Sequence, residues 1–164
     1  MAIYLLTWNP KYFRLAGTIA EFEDSGYATD SWRTQSRRIV PGDQLLLLRQ
    51  GTNRGIVGLA VATGAPEQLT LPWDEGRARW YVPLEWERIQ AEPFLPMAAL
   101  RQRFLISHNW QPRCSGTLIP EPTGQALLIH IDLLGGNDTD ARRAPHISSG
   151  DSSCATDPNP NAPC

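Results

Sequence analysis

The side chains best suited to chemistry are few and scattered. His108-Asn109 has the outline of a nuclease motif, but such a site needs a second metal-ligating histidine at short spacing. The remaining histidines, His130 and His146, do not provide it. His108 therefore reads as a solvated loop histidine. Glu85 and Glu87 share one strand face, but they flank Trp86 and point to solvent rather than at each other. Cys114, Cys154 and Cys164 are odd in number and far apart, which suits neither a disulfide framework nor a zinc site. No Walker loop, dinucleotide glycine fingerprint, Gly-x-Ser-x-Gly elbow or His-Glu-x-x-His is present. The sequence offers no catalytic set, and no metal-site or cofactor motif.

Aromatic side chains in turns are the stronger signal. Trp8 closes an apolar run just before Asn9-Pro10. Trp32 follows Thr29-Asp30-Ser31 in a polar, arginine-rich segment that reads as a loop. Trp110 lies in Asn109-Trp110-Gln111-Pro112, ahead of Ser115-Gly116. A loop tryptophan is costly to leave exposed, so each either plugs the core or lines a site, and the sequence leaves both open. Trp73, Trp80 and Trp86 lie in or beside expected strands and read as core or scaffold.

Charge narrows the partners. Residues 1–136 carry 13 basic side chains, twelve arginines and Lys11, against 13 acidic ones. A neutral body argues against indiscriminate polyanion binding and leaves room for a local basic pocket. Arginine outnumbers lysine 14 to 1 over the whole chain, and the guanidinium fork suits phosphate. With 41% apolar residues and no run of about 18, a membrane span is not expected. The opening residues lack a signal-peptide pattern, so the expected location is cytoplasmic.

These residues are positioned by a mixture of strands and short helices. Ile3 to Trp8 reads as a strand. Thr18-Ile19-Ala20-Glu21 has capping-box spacing for a helix that stops near Gly26. Gln44 to Arg49 is an apolar run suited to a buried strand, and Ile56 to Thr63 is a β-branched one. Trp80 to Trp86 alternates as a half-buried strand. Met97 to Phe104 reads as a helix after Pro96. Glu121-Pro122 opens either a helix bearing Leu127, Ile131 and Leu134 and closed by Gly135, or a strand. Strands mostly local in order, with interposed helices and no βαβ alternation, predict an α+β domain around a curled sheet. The domain is expected over residues 1–136, with 137–164 a disordered polar tail.

Four segments in register carry a resemblance: Leu5-Leu6-Thr7-Trp8-Asn9-Pro10-Lys11, Ser31-Trp32-Arg33-Thr34-Gln35-Ser36-Arg37, Gly42 to Gly51, and Arg54-Gly55-Ile56-Val57-Gly58-Leu59-Ala60. Over roughly residues 1–134 the chain resembles the EVE domain of the PUA-like superfamily. It is most similar to the variant found ahead of HNH modules in modification-dependent restriction endonucleases, and Trp110 to Thr117 matches that variant too. The resemblance implies a PUA-like curled mixed β-sheet or pseudo-barrel with short flanking helices. It also implies a pocket between the first strand and the Gly55-Ile56-Val57-Gly58 strand, holding a flipped modified base between aromatic faces. On this sequence the pocket residues would be Trp8, Asn9, Pro10, Trp32, Gly55, Ile56, Trp110 and Ser115, with Lys11, Arg33, Arg37 and Arg54 on the flanking phosphates. The expected partner is DNA carrying 5-methyl- or 5-hydroxymethylcytosine, with a nuclease or other effector protein supplying any cleavage. Two alternatives stand beside it: an RNA-binding PUA-like module, and the N-terminal half of a modification-dependent HNH endonuclease.

Overall fold

Leu45, Leu46, Leu47 and Leu48 are all fully buried, a pattern that requires a strand covered on both faces. The computed structural model, which describes residues 1–104 and 109–142, supplies both covers. Its elements are β1 Ile3–Trp8, α1 Ala16–Ser25, β2 Thr29–Arg33, β3 Gln44–Arg49, β4 Gly55–Ala62, β5 Glu67–Leu69, β6 Arg79–Ile89, β7 Leu95–Pro96, α2 Met97–Phe104, β8 Thr117–Ile119 and α3 Glu121–Arg142. The strands form one mixed eight-stranded sheet in the order β2-β6-β4-β3-β1-β8, with β5 on β6 and β7 on β4. This is the α+β architecture expected from the sequence, a mixed sheet with short flanking helices.

Alternation along β1 separates the two cores. Tyr4, Leu6 and Trp8 face one side, where Leu15, Trp32, Val82, Leu84 and Trp86 pack and where α1 lays Ile19 and Phe22. Ile3 and Leu5 face the other, with Met97 and Leu100 of α2, Trp110, and Leu127 and Ile131 of α3.

Four local expectations are corrected. Thr29-Asp30-Ser31-Trp32 is a strand, not a loop: β2 pairs antiparallel with β6, Trp32 opposite Val82. The capping box does not form. Helix α1 starts at Ala16 after an N-cap Leu15 that makes no side-chain cap, and the Thr18 hydroxyl is engaged by Asp30 instead. The order of strands is not purely local, because β1 and β3 pair in parallel, with α1 and β2 in the crossover. The last segment is a helix, and it runs through Gly135 to Arg142. Gly135 is absent from the positive-φ positions, so it does not provide the left-handed stop that ends α1 at Gly26, φ 71°. His108 and residues 143–164, with Cys154, Cys164 and His146, lie outside the described residues, as does most of the expected tail.

Candidate functional site

The end of β1 folds back on itself. The Asn9 carbonyl accepts from the Tyr12 and Phe13 N–H groups at 3.0 and 3.2 Å, and Asn9 Oδ1 accepts from the Lys11 N–H at 3.0 Å. This turn brings the Phe13 carbonyl to the Trp8 indole N–H at 2.8 Å. The Phe13 ring then stands edge-on to Trp32, centroids 5.3 Å apart, and to Trp73 at 6.1 Å. With Oδ1 committed to the turn, Asn9 has its amide N–H groups to offer a ligand.

A second rim comes from the segment before β8. Gln35 N–H donates to the Ser115 carbonyl and Gly116 N–H to the Leu5 carbonyl, both at 2.9 Å. Thr7 N–H reaches Ser115 Oγ at 3.3 Å. Gly116 has φ +91°, and a Cβ there would collide with Thr34 Oγ1, so glycine is required for this clamp. The clamp fixes Arg113, Cys114 and Ser115 beside β1.

Between these rims and the β2–β6 pair lies a cavity of about 580 Å3, within the range of small-molecule sites. Its aromatic lining comprises Trp8, Tyr12, Phe13, Trp32, Trp73 and Tyr81. Arg14, Arg33 and Arg113 line it too, all exposed. A neighbouring depression of about 320 Å3 shares Arg33, Thr34 and Gln35 and adds Arg37, Arg79 and Trp80; the Arg37 guanidinium lies 4.8 Å over the Trp80 ring. Among the described residues the one ion pair is Arg49–Glu92 at 3.1 Å, so none of these arginines is neutralised by a carboxylate.

One acid does line the cavity. Asp74, 6% exposed, accepts the Tyr81 hydroxyl on both oxygens, at 3.0 and 2.9 Å. It also accepts the Leu71 N–H at 3.0 Å. Tyr81 in turn accepts the Trp73 indole N–H at 3.2 Å. Burial first, and the Asp74 hydrogen bond second, push the Tyr81 phenol above its usual range, so it remains a donor.

The structure brings Trp8, Asn9, Trp32, Ser115 and Arg33 together at this cavity, with Pro10 in the turn beside them. It does not bring the others. The β4 strand is separated from β1 by β3, so the cavity is not between β1 and the Gly55-Ile56-Val57-Gly58 strand. A Cβ on Gly55 would meet the Leu95 carbonyl at 2.5 Å, and one on Gly58 the Trp86 ring at 2.7 Å. These glycines admit protein, not ligand. Ile56 and Trp110 are buried in the core on the opposite face, with the Trp110 indole N–H held by the Phe104 carbonyl at 3.3 Å. Arg54 accepts the Met97 N–H through its carbonyl, at the β7 edge. Lys11 is exposed over the Tyr12 ring, and Arg37 belongs to the second depression.

Phe13, Trp73, Asp74, Tyr81 and Arg113 also line the cavity and are not expected there from the sequence. Trp73, expected to be scaffold, is 61% exposed. Its Leu71-Pro72-Trp73-Asp74 setting is the available signal: a proline-started turn that projects a tryptophan beside an acid.

No family model matches this chain, and no curated protein matches it by sequence. Solved structures do. A hypothetical protein from Leishmania major superimposes with a TM-score of 0.59 at 15% identity, covering 83% of this chain and 97% of that one. Rpa0253 from Rhodopseudomonas palustris gives 0.54 at 17% identity, covering 92% and 100%. The human THYN1 protein, in complex with DNA containing 5-methylcytosine, gives 0.52 at 12% identity, covering 80% and 98%. At these identities the likeness establishes a shared fold.

Proposed function

We propose that this chain is a nucleic-acid-binding reader that holds one flipped, modified base, 5-methyl- or 5-hydroxymethylcytosine in DNA, in the aromatic cavity. It carries out no catalytic step itself, and a separate nuclease or other effector would act on the DNA it marks. The observation that carries the reading is the cavity itself, an aromatic site of about 580 Å3 rimmed by arginines that no described carboxylate neutralises. A neighbour of the same fold in complex with 5-methylcytosine DNA supports it.

The energetics are consistent. Extruding a base costs a few kcal/mol, and stacking on an aromatic face returns about 1–3 kcal/mol per base. The Asn9 amide supplies an edge donor, and Arg14, Arg33 and Arg113 are placed for the phosphates that flank an extruded nucleotide. A methyl group adds at most about 0.8 kcal/mol of apolar burial, so selection depends on the fit of the cavity around C5.

Duplexes identical except at one cytosine, unmodified, 5-methylated or 5-hydroxymethylated, compared at one salt concentration, test the reading. Tighter binding of a modified duplex is expected. Equal binding of all three, or tighter binding of an RNA of the same sequence, would refute it.

A further inference from the structure

Asp74 is a buried carboxylate with acceptor capacity to spare. Two oxygens offer about four lone-pair sites, and two donors engage them: the Leu71 N–H and a single Tyr81 hydroxyl hydrogen shared between both oxygens. Among the described residues no arginine, lysine or histidine pairs with it. Its surroundings hold it rigidly, since the Asp74 N–H donates to the Leu71 carbonyl and its carbonyl accepts from Arg77, both at 2.9 Å. The same turn carries Trp73, whose indole is tied to Tyr81. Trp73 and Asp74 both line the cavity, so a ring held there lies beside an acceptor fixed in place.

We infer that Asp74 is a specificity-determining residue that selects bases bearing an exocyclic amine. An amino group donates to the carboxylate, as carboxylates accept from cytosine N4 in groove readout. A keto oxygen at that position sets acceptor against acceptor and leaves a buried group unpaired. The inference rests on the cavity being a base site and goes beyond it. It distinguishes 5-methylcytosine from thymine, which carries the same C5 methyl and differs at C4.

Three oligonucleotides test it, each with the reporter base opposite an abasic site so that no base pair is lost on extrusion. The bases are 5-methylcytosine, 5-methylpyrimidin-2-one, which has hydrogen in place of the amine, and thymine. The wild-type protein should bind the first best, the second about tenfold more weakly, and thymine most weakly. Asp74→Asn, which can present either amide group, should close the gap between 5-methylcytosine and thymine. Equal affinity of the wild-type protein for all three would overturn the inference, whatever the variant does, and so would a folded Asp74→Asn protein that keeps the gap. All three bases carry the C5 methyl, so either failure leaves the preference for 5-methylcytosine over cytosine standing. Loss of that separate preference would count against the base-reader proposal instead.

Discussion

The Trp32 indole N–H donates to the Thr7 carbonyl at 3.2 Å, so one wall of the cavity is also a tie between β2 and β1. Trp32 is 6% exposed and stands edge-on to Trp86 at 6.1 Å as well as to Phe13. Wall and core are the same side chain. Trp32→Ala should therefore cost about 3–5 kcal/mol of stability, as for a core tryptophan, in addition to the preference for a modified base. Denaturant unfolding beside duplex binding checks this; an unchanged unfolding midpoint would show that the Thr7 tie contributes nothing.

Trp73 offers the cleaner separation of binding from folding. It is 61% exposed, so Trp73→Ala should shift stability by less than about 0.5 kcal/mol. Loss of its face should weaken the modified duplex by about 1–3 kcal/mol, on the order of 5- to 150-fold. Normal binding by a folded variant would remove Trp73 from the site.

How much of this was legible in the sequence depends on how local each signal is. β1, β3 and α2 could be read residue by residue, because an unbroken apolar run or a proline start leaves one solution. β2 could not. Its Thr29 and Ser31 face solvent, so Trp32 stands alone as the apolar member of an edge strand, and the pairing with β6 that makes it a strand is not local. The same holds for the cavity. Trp8, Asn9, Trp32 and Ser115 line it, whereas Gly55, Ile56 and Trp110, expected there, do not. Which face of a sheet a residue occupies follows from strand order, and strand order does not appear in spacing. For α3, Leu127 and Ile131 are buried while Ile129 and Leu133 are exposed; a strand would put all four on one face, so the exposed pair decides helix over strand.

Arg37 lies outside the cavity, its guanidinium over Trp80, and is un-neutralised by any described carboxylate. Arg37→Ala should weaken modified and unmodified duplexes alike and reduce the slope of log affinity against log salt by about one contact. A loss confined to the modified duplex would instead put Arg37 in contact with the base.

Burial pushes the Asp30 carboxyl above its ordinary 3.8, against the Ser31 N–H and Thr18 hydroxyl that lower it, with Glu21 adding to the rise. A raised value means the folded state holds the proton more tightly. The stability this contributes is complete below about 3.8 and is lost as pH rises through the folded value. The stability of the wild-type protein relative to Asp30→Asn should therefore increase as pH falls from 7 towards about 4. Urea midpoints at both pH values measure it. A relative stability that falls on acidification would mean the hydrogen bonds outweigh burial.

Entry of a modified base into the cavity lined by Trp32 and Trp73 is reported directly by the indole N–H resonances of the six tryptophans. Titration with a duplex bearing 5-methylcytosine should move the Trp73 and Trp32 signals and leave Trp110, in the core on the far side of the sheet, in place. The unmodified duplex should perturb Trp80, beside the Arg37 rim, without the Trp73 and Trp32 shifts. Identical shifts with both duplexes, or no movement of Trp73 and Trp32 at saturation, would contradict the account.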